Sequence, residues 1–326
     1  MATYLVTGCA GFIGFRVTEL LLQEGHQVVG VDNLNHSYDC RLKQWRRSQI
    51  DGRDGFSFHQ LDITDRGSLS RMWEEKGSRP FDAVINLAGR AGVRDSVENP
   101  WEYLETNATG ALNLLDLCRR HGVGKFVQAS SSNVYGQGSL PSREDAVTDG
   151  CISPYAVSKK AAELLCRSYH SLYGIDVTAL RFFTVYGPAG RPDMMLFRCV
   201  QRISEDRPVL VYGDGSQSRD FTYVDDVARG VIGALKPLGC QIVNLGSDKP
   251  VVLNEAIRMV EELVGKKARR ESRPPHPADV EDSWADIGKA RALLGWEPGL
   301  SLHQGLSRMV EWYRQNRSWA REVITA

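Results

Sequence analysis

Two kinds of segment alternate along the first half of this chain. Short apolar runs occupy positions 4–6, 28–31, 56–60, 83–86, 126–129 and 177–182, and read as strands. Longer stretches between them carry apolar residues at helical spacing, notably 15–24, 101–121 and 154–173. Gly25 follows the first of these, where a helix terminator belongs. Strand and helix in alternation predict an α/β fold, a doubly wound parallel sheet covered on both faces. After about residue 180 the rhythm breaks at Gly187-Pro188, Gly190-Arg191-Pro192 and Arg273-Pro274-Pro275. The expected organisation is a sheet domain over 1–180 and a smaller lobe over 181–326, with 221–245 returning to the sheet. Positions 302–319 read as a helix.

The first turn is rich in glycine: Thr7-Gly8-Cys9-Ala10-Gly11-Phe12-Ile13-Gly14. Glycines let a backbone approach a pyrophosphate, and a helix N-terminus offers free N–H groups and a positive dipole end. The next strand ends at Asp32. A carboxylate there can accept both hydroxyls of an adenosine ribose and would repel a 2′-phosphate. A glycine triplet alone is weak. Strand, glycine turn, helix, strand and acid in this order point to a dinucleotide site. Cys9, inside the turn, reads as a small packing residue.

The second chemical signal is Ser130-Ser131-Ser132-Asn133-Val134-Tyr135-Gly136, followed by Ser153-Pro154-Tyr155-Ala156-Val157-Ser158-Lys159. Tyr155 and Lys159 lie one helical turn apart on one face. The ammonium favours the phenolate and is expected to move the tyrosine pKa, about 10 when free, toward neutral. Ser131, held by an earlier strand, completes a proton relay. Such a trio moves a proton on or off a hydroxyl while a hydride leaves or reaches its carbon. Alone, a Tyr-x-x-x-Lys is more often a surface pair; the glycine turn upstream changes that. Asn133 puts an amide where an acid could stand.

The glycine spacing, with Asp62-Ile63, Asn86-Leu87-Ala88-Gly89, Asn107, the serine triplet, Tyr155/Lys159 and Arg219-Asp220-Phe221, carries a resemblance over essentially the whole chain. It resembles the extended short-chain dehydrogenase/reductase family, in its nucleotide-sugar epimerase/dehydratase branch. One departure is Gly89, where the family more often has a second Ala; loss of that methyl is expected to be tolerated. The resemblance implies a Rossmann-type fold with a C-terminal α/β substrate-binding lobe, NAD as cofactor, and a homodimer formed through the helices at 101–121 and 154–173. It implies that Gly8, Gly11, Phe12, Ile13 and Gly14 line the pyrophosphate, and Asp32 with Asn33 the adenosine ribose. Asp62 with Ile63 falls beside the adenine, although Asp62 also suits a cap before Thr64. Leu87 and Ala88 back the nicotinamide ribose, which Lys159 reaches along with Tyr155. Asn107 holds strand ends together rather than touching substrate.

The later half resembles nucleoside-diphosphate-sugar binders. Arg219 is expected on the diphosphate, since a guanidinium fork donates two aligned hydrogen bonds to anionic oxygens; an ion pair with Asp214 or Asp220 is the alternative. Asp279, in His276-Pro277-Ala278-Asp279, is the candidate for the nucleotide ribose. Thr184-Val185-Tyr186-Gly187-Pro188 followed by Arg191-Pro192-Asp193-Met194 resembles the loop of uronic-acid 4-epimerases. Ser131, Ser132 and Thr184 then bind the carbon-6 carboxylate and Arg191 supplies charge. The alternative for Arg191 is a staple to Asp193.

Composition narrows the partners. Lys plus Arg equal Asp plus Glu at 40 each, so no charge bias suggests nucleic acid or membrane. No apolar run reaches about 18 residues and no signal-peptide pattern appears, so a cytoplasmic chain is expected. Seven cysteines without Cys-x-x-Cys favour neither a disulfide framework nor a zinc site, and no metal is expected. The implied reaction is NAD-dependent 4-epimerisation of a UDP-uronic acid, UDP-glucuronate to UDP-galacturonate, through a 4-keto sugar. UDP-glucose 4-epimerisation is the alternative. Family members that decarboxylate or dehydrate usually carry Glu where this chain has Asn133. A silent dinucleotide sensor would tend to lose Tyr155 or Lys159.

Overall fold

The computed structural model describes residues 1–77 and 80–325. Twelve strands appear in chain order: β1 (Thr3–Thr7), β2 (Gln27–Val31), β3 (Phe56–His59), β4 (Ala83–Asn86), β5 (Lys125–Ser131), β6 (Asp176–Phe182), β7 (Thr184–Tyr186), β8 (Val209–Tyr212), β9 (Ser218–Tyr223), β10 (Cys240–Leu245), β11 (Pro250–Val252) and β12 (Arg270–Arg273). Seven of them form one parallel sheet in the order β3-β2-β1-β4-β5-β6-β10. The order reverses between β1 and β4, and ligands of such sheets settle in the crevice at that point. Thr7 is level with both Val31 and Asn86, so three strand ends open onto this crevice together.

Successive residues of each strand point to opposite faces. Val6, Ile85 and Val127 enter one buried cluster, and their neighbours Leu5, Val84 and Phe126 enter the other. Both faces are therefore covered, as the alternation of strands and helices requires.

The helix predicted over 154–173 is Pro154–Tyr173, capped by Ser153, whose hydroxyl accepts from the Ala156 N–H at 3.2 Å. The helix predicted over 101–121 is segmented: Pro100–Leu104, a π-helical turn Glu105–Thr109, then Gly110–His121. The last long helix is Leu302–Ala320. Return to the sheet is narrower than 221–245. Cys240–Leu245 enters as β10, whereas β9, which contains Phe221, is held between β11 and β7 in a separate three-stranded sheet. Helix Val224–Gly233 lies against helix Phe12–Gln23.

Polar contacts fix the Pro154–Tyr173 helix to β5. Lys159 Nζ donates to the Ala129 carbonyl at 3.2 Å, and Ser130 Oγ donates to Glu163 Oε1 at 2.6 Å. Arg181 of β6 completes a bidentate pair with Glu163 at 2.8 Å on each oxygen, both side chains buried. Removing one partner of such a pair strands a charge. Glu163→Ala is expected to cost about 3–5 kcal/mol, read from urea unfolding. A loss below about 1 kcal/mol, the scale of exposed pairs, would mean that water reaches Arg181.

Candidate active site

One cleft of about 430 Å³ runs along the carboxyl ends of the strands. It is lined by every residue expected above to touch cofactor or substrate, from the glycine turn to Asp279, and Asn107 stands outside it. At its first end, Gly8 has φ +70°, and a Cβ there would lie 2.7 Å from the Ala88 nitrogen. A Cβ on Gly14 would lie 2.0 Å from the Gly8 carbonyl oxygen. The turn therefore closes only with glycine at both places, and it leaves backbone against the crevice. This cradle, an acid at the end of β2 and the start of helix Phe12–Gln23 fit a dinucleotide.

Asp32 does more than face the crevice. Its Oδ2 accepts from the Ala10 N–H at 3.2 Å and its Oδ1 from the Leu34 N–H at 2.8 Å. Lys43 Nζ lies 3.5 Å from Oδ1 and donates to Asn35 Oδ1 at 3.1 Å. The acid thus stands beside a buried ammonium, which offsets part of the charge expected to repel a 2′-phosphate. Asp62 lines the cleft, and the cap of the helix that follows, Arg66–Lys76, is Asp65 rather than Asp62. Asp62 accepts from the Thr64 N–H at 2.9 Å and from Asn33 Nδ2 at 2.6 Å, binding the two adenosine-side loops to each other. Cys9 is fully buried and packs against Gly30, as a small packing residue does.

At the centre, burial pushes the Tyr155 phenol above its ordinary value; hydrogen bonding with Ser131 and the charge of Arg191 pull it back. Burial, with Arg191 adding to it, lowers Lys159 to about 8. The expected drop of the phenol toward neutral is thus not what this environment produces. Desolvation outweighs the nearby charges, and the cation opposing it is Arg191, while Lys159 is turned to the Ala129 carbonyl. Asn133 donates from Nδ2 to Ser131 Oγ at 3.1 Å. Asn107 accepts from the Arg90 N–H at 2.8 Å and donates to the Arg90 carbonyl at 3.0 Å and to Ser158 Oγ at 2.8 Å. It ties the loop after β4 to the Tyr155 helix. At Gly89 the missing methyl leaves room that two side-chain ends occupy, so an alanine there would require them to shift. A Cβ there would meet Asn107 Oδ1 at 2.7 Å and Lys159 Nζ at 2.9 Å.

At the far end, Arg191 forks onto Asp193 at 3.0 and 2.7 Å and donates to the Ala91 carbonyl at 2.9 Å. The staple and the cleft position coexist. Arg219 pairs with neither Asp214 nor Asp220. It donates to the carbonyls of Ser218, Glu281 and Val280 at 2.7–2.8 Å. Asp220 instead accepts N–H groups from Asp248 and Ala285. Asp279 pairs with Arg94 at 2.6 Å, and the Arg94 guanidinium lies 3.5 Å from the Tyr212 ring centre. Arg94, Lys43, Tyr38 and Tyr212 line the cleft without having been singled out in the sequence. Lys43 and Arg94 stand on short helices, Cys40–Ser48 and Val93–Glu98, Tyr212 ends β8 and Tyr38 lies in a loop; single cations and aromatics carry no spacing signal that would have marked them.

The shift of Lys159 has a consequence for stability. The unfolded chain holds the proton up to 10.5, the folded chain only to about 8. Between these values the unfolded state binds more protons, so stability rises with pH across that window. The cost of the buried ammonium is full below pH 8. Cofactor-free Lys159→Met is therefore expected to resist urea better than wild type at pH 7, with the gain shrinking by pH 9.5. A difference independent of pH would sink this account.

Residues 4–246 match the model of the NAD dependent epimerase/dehydratase family. A UDP-glucuronate 4-epimerase of Thermodesulfobacterium geofontis is 53% identical over 317 residues, covering 97% of each chain. The crystal structure of UDP-glucuronic acid 4-epimerase from Bacillus cereus, in complex with UDP-glucuronic acid and NAD, superposes with a TM-score of 0.91. It is 35% identical, over 96% of this chain and 99% of that one. UDP-glucose 4-epimerase of Thermotoga maritima with UDP-glucose gives a TM-score of 0.89 at 32% identity, over 97% and 99% of the two chains. By the extent of the family match and by these identities over nearly full length, the chain belongs to the NAD-dependent epimerase/dehydratase family.

Proposed function

We propose that this chain interconverts UDP-glucuronate and UDP-galacturonate by NAD-dependent 4-epimerisation. The observation that carries the reading is the make-up of one cleft. Tyr155, Lys159 and Ser131 share it with Ser132, Thr184 and Arg191, and an amide stands at 133. Full-length similarity to a UDP-glucuronate 4-epimerase at 53% identity supports it.

In this reading Tyr155 takes the proton of the 4-hydroxyl, relayed by Ser131, and returns it after the sugar has turned. Bound NAD supplies the hydride acceptor and donor. Gly8, Gly11, Phe12, Ile13 and Gly14 hold its pyrophosphate, Asp32 and Asn33 its adenosine ribose, Asp62 and Ile63 its adenine, and Leu87, Ala88 and Lys159 its second ribose. Arg219 and Asp279 serve the nucleotide of the substrate. Oxidation at carbon 4 turns a uronate into a β-keto acid, and such acids lose carbon dioxide readily. Hydroxyls at Ser131, Ser132 and Thr184 stabilise the carboxylate as a charged group, which opposes the dispersal of charge that decarboxylation requires. Asn133 offers no acid to protonate a carbanion.

The test is incubation with UDP-glucuronate and, separately, UDP-glucose, with products resolved by chromatography and mass. UDP-glucuronate is expected to give its 4-epimer, with little UDP-pentose and no NADH build-up. Tyr155→Phe should keep the fold and lose at least about a hundredfold in rate. Loss of carbon dioxide as the main outcome would show Asn133 to be the wrong discriminator. Preference for UDP-glucose would move the substrate to the neutral hexose.

The same helices suggest a second copy of the chain as partner. Trp101 is 79% exposed, Leu164 56% and Leu172 67%, on helices that pack together beside the cleft. Leu164 and Leu172 on helix Pro154–Tyr173, with Trp101 on the helix Pro100–Leu104 packed against it, suit a helix-on-helix contact between two copies. Sedimentation velocity should give a dimer, and Leu164→Glu with Leu172→Glu a monomer. A monomeric wild type at micromolar concentration would remove the proposal.

A further inference from the structure

Arg46 is fully buried, yet the acceptors around it are neutral. Nε and Nη2 donate to the Ala189 carbonyl at 2.9 and 2.7 Å, and Nη2 also reaches the Gly190 carbonyl at 3.2 Å. Nη1 donates to the Ala10 carbonyl at 3.2 Å and to the Tyr38 hydroxyl at 2.7 Å. A buried cation held only by neutral acceptors is costly, and a well-packed apolar side chain would often serve stability better.

The segments it joins give a better reason for its presence. Ala10 lies in the glycine turn. Tyr38 follows Asp32 on the adenosine side. Ala189 and Gly190 belong to the loop that carries Arg191. Ala189 is held at φ 52°, a left-handed conformation that a residue with a Cβ seldom adopts, and Arg46 spends two hydrogen bonds on its carbonyl. Tyr38 adds a second link. The Arg46 and Arg191 guanidinium carbons each lie 5.6 Å from its ring centre.

We infer that Arg46 is a positioning residue that couples the dinucleotide end of the cleft to the Arg191 loop, so that cofactor and sugar nucleotide tighten each other. The inference rests on the function proposed above. A dinucleotide that orders the glycine turn and Tyr38 fixes the guanidinium, and the guanidinium fixes the Ala189 carbonyl and the loop beyond it. Coupling of this kind is reciprocal by thermodynamic necessity.

The test is calorimetric binding in Tyr155→Phe protein stripped of nucleotide, where the sugar does not turn over. Saturating UDP-glucuronate should tighten NAD at least about fivefold, and NAD should tighten UDP-glucuronate by the same factor. Arg46→Lys keeps the charge without the fork, and Arg46→Met removes both. Each should bring the factor to within about twofold of one while thermal melting stays cooperative. A factor near one in the Tyr155→Phe parent overturns the coupling, as does a factor retained in both Arg46 variants. If neither Arg46 variant folds, Tyr38→Phe takes their place, since it deletes one acceptor and keeps the ring. The factor should fall there too, and an unchanged factor overturns the inference. Failure of the parent to bind NAD or UDP-glucuronate at all would overturn the functional reading, which independent binding of both would leave intact.

Discussion

The seam between β5 and the Pro154–Tyr173 helix is the constraint on which the site depends. Three consecutive strand residues meet three successive turns of the helix. Ser131 acts on Tyr155, the Ala129 carbonyl receives Lys159, and Ser130 donates to Glu163. Residues four apart on a helix lie above one another, so a strand end laid along that face can engage all three. Arg181 locks the arrangement from the next strand. A rotation of the helix by one residue would break every contact at once. The Tyr-x-x-x-Lys spacing is thus only the cleft-lining part of a longer pattern, Tyr155-Lys159-Glu163, whose last member never reaches the cleft.

Much of this was legible before any coordinate. The glycine turn, Asp32, Tyr155 and Lys159 sit at spacings fixed by local geometry, by close backbone approach or by one helical turn, and local geometry is written in sequence. The parallel sheet follows from alternation alone. What was not legible depends on distant segments meeting. Arg94 faces Asp279 across 185 positions, and Arg46 reaches Ala189 across 143. Nor does the sequence show that Asn107 Oδ1 and Lys159 Nζ stand where a methyl at Gly89 would sit. Arg219 and Asp279 carry the residue types the resemblance implies and line the expected cleft. Their hydrogen bonds go to partners that no motif contains.

Charge is distributed against the average. The chain is formally neutral, yet among the described residues one cleft is lined by six cationic side chains, Lys43, Arg94, Lys159, Arg191, Arg198 and Arg219, against four aspartates, Asp32, Asp62, Asp193 and Asp279. Lys43, Arg94 and Arg191 are each paired with one of those aspartates and Arg219 is held by carbonyls, so these cations are fixed in place and the excess over the carboxylates is small and positive. A concave site with low-dielectric walls concentrates such a field, and phosphates and carboxylates are the groups it favours. Net charge therefore says nothing about this local field.

Arg191 ties recognition to proton transfer. It stands on the loop resembling that of uronate 4-epimerases, and it is also the cation that draws the Tyr155 phenol down against burial. The same charge helps to lower Lys159, keeping that amine close to losing its proton. One guanidinium thus acts on both Tyr155 and Lys159, and it is stapled to Asp193 and Ala91 so that its position holds whether or not a carboxylate is opposite. A residue placed this way cannot be a pure selector. Its removal would let the phenol rise for any sugar, charged or neutral, and would withdraw a partner from a uronate as well. In the proposed reading specificity and rate share one side chain, and its loop is braced from behind by the buried Arg46.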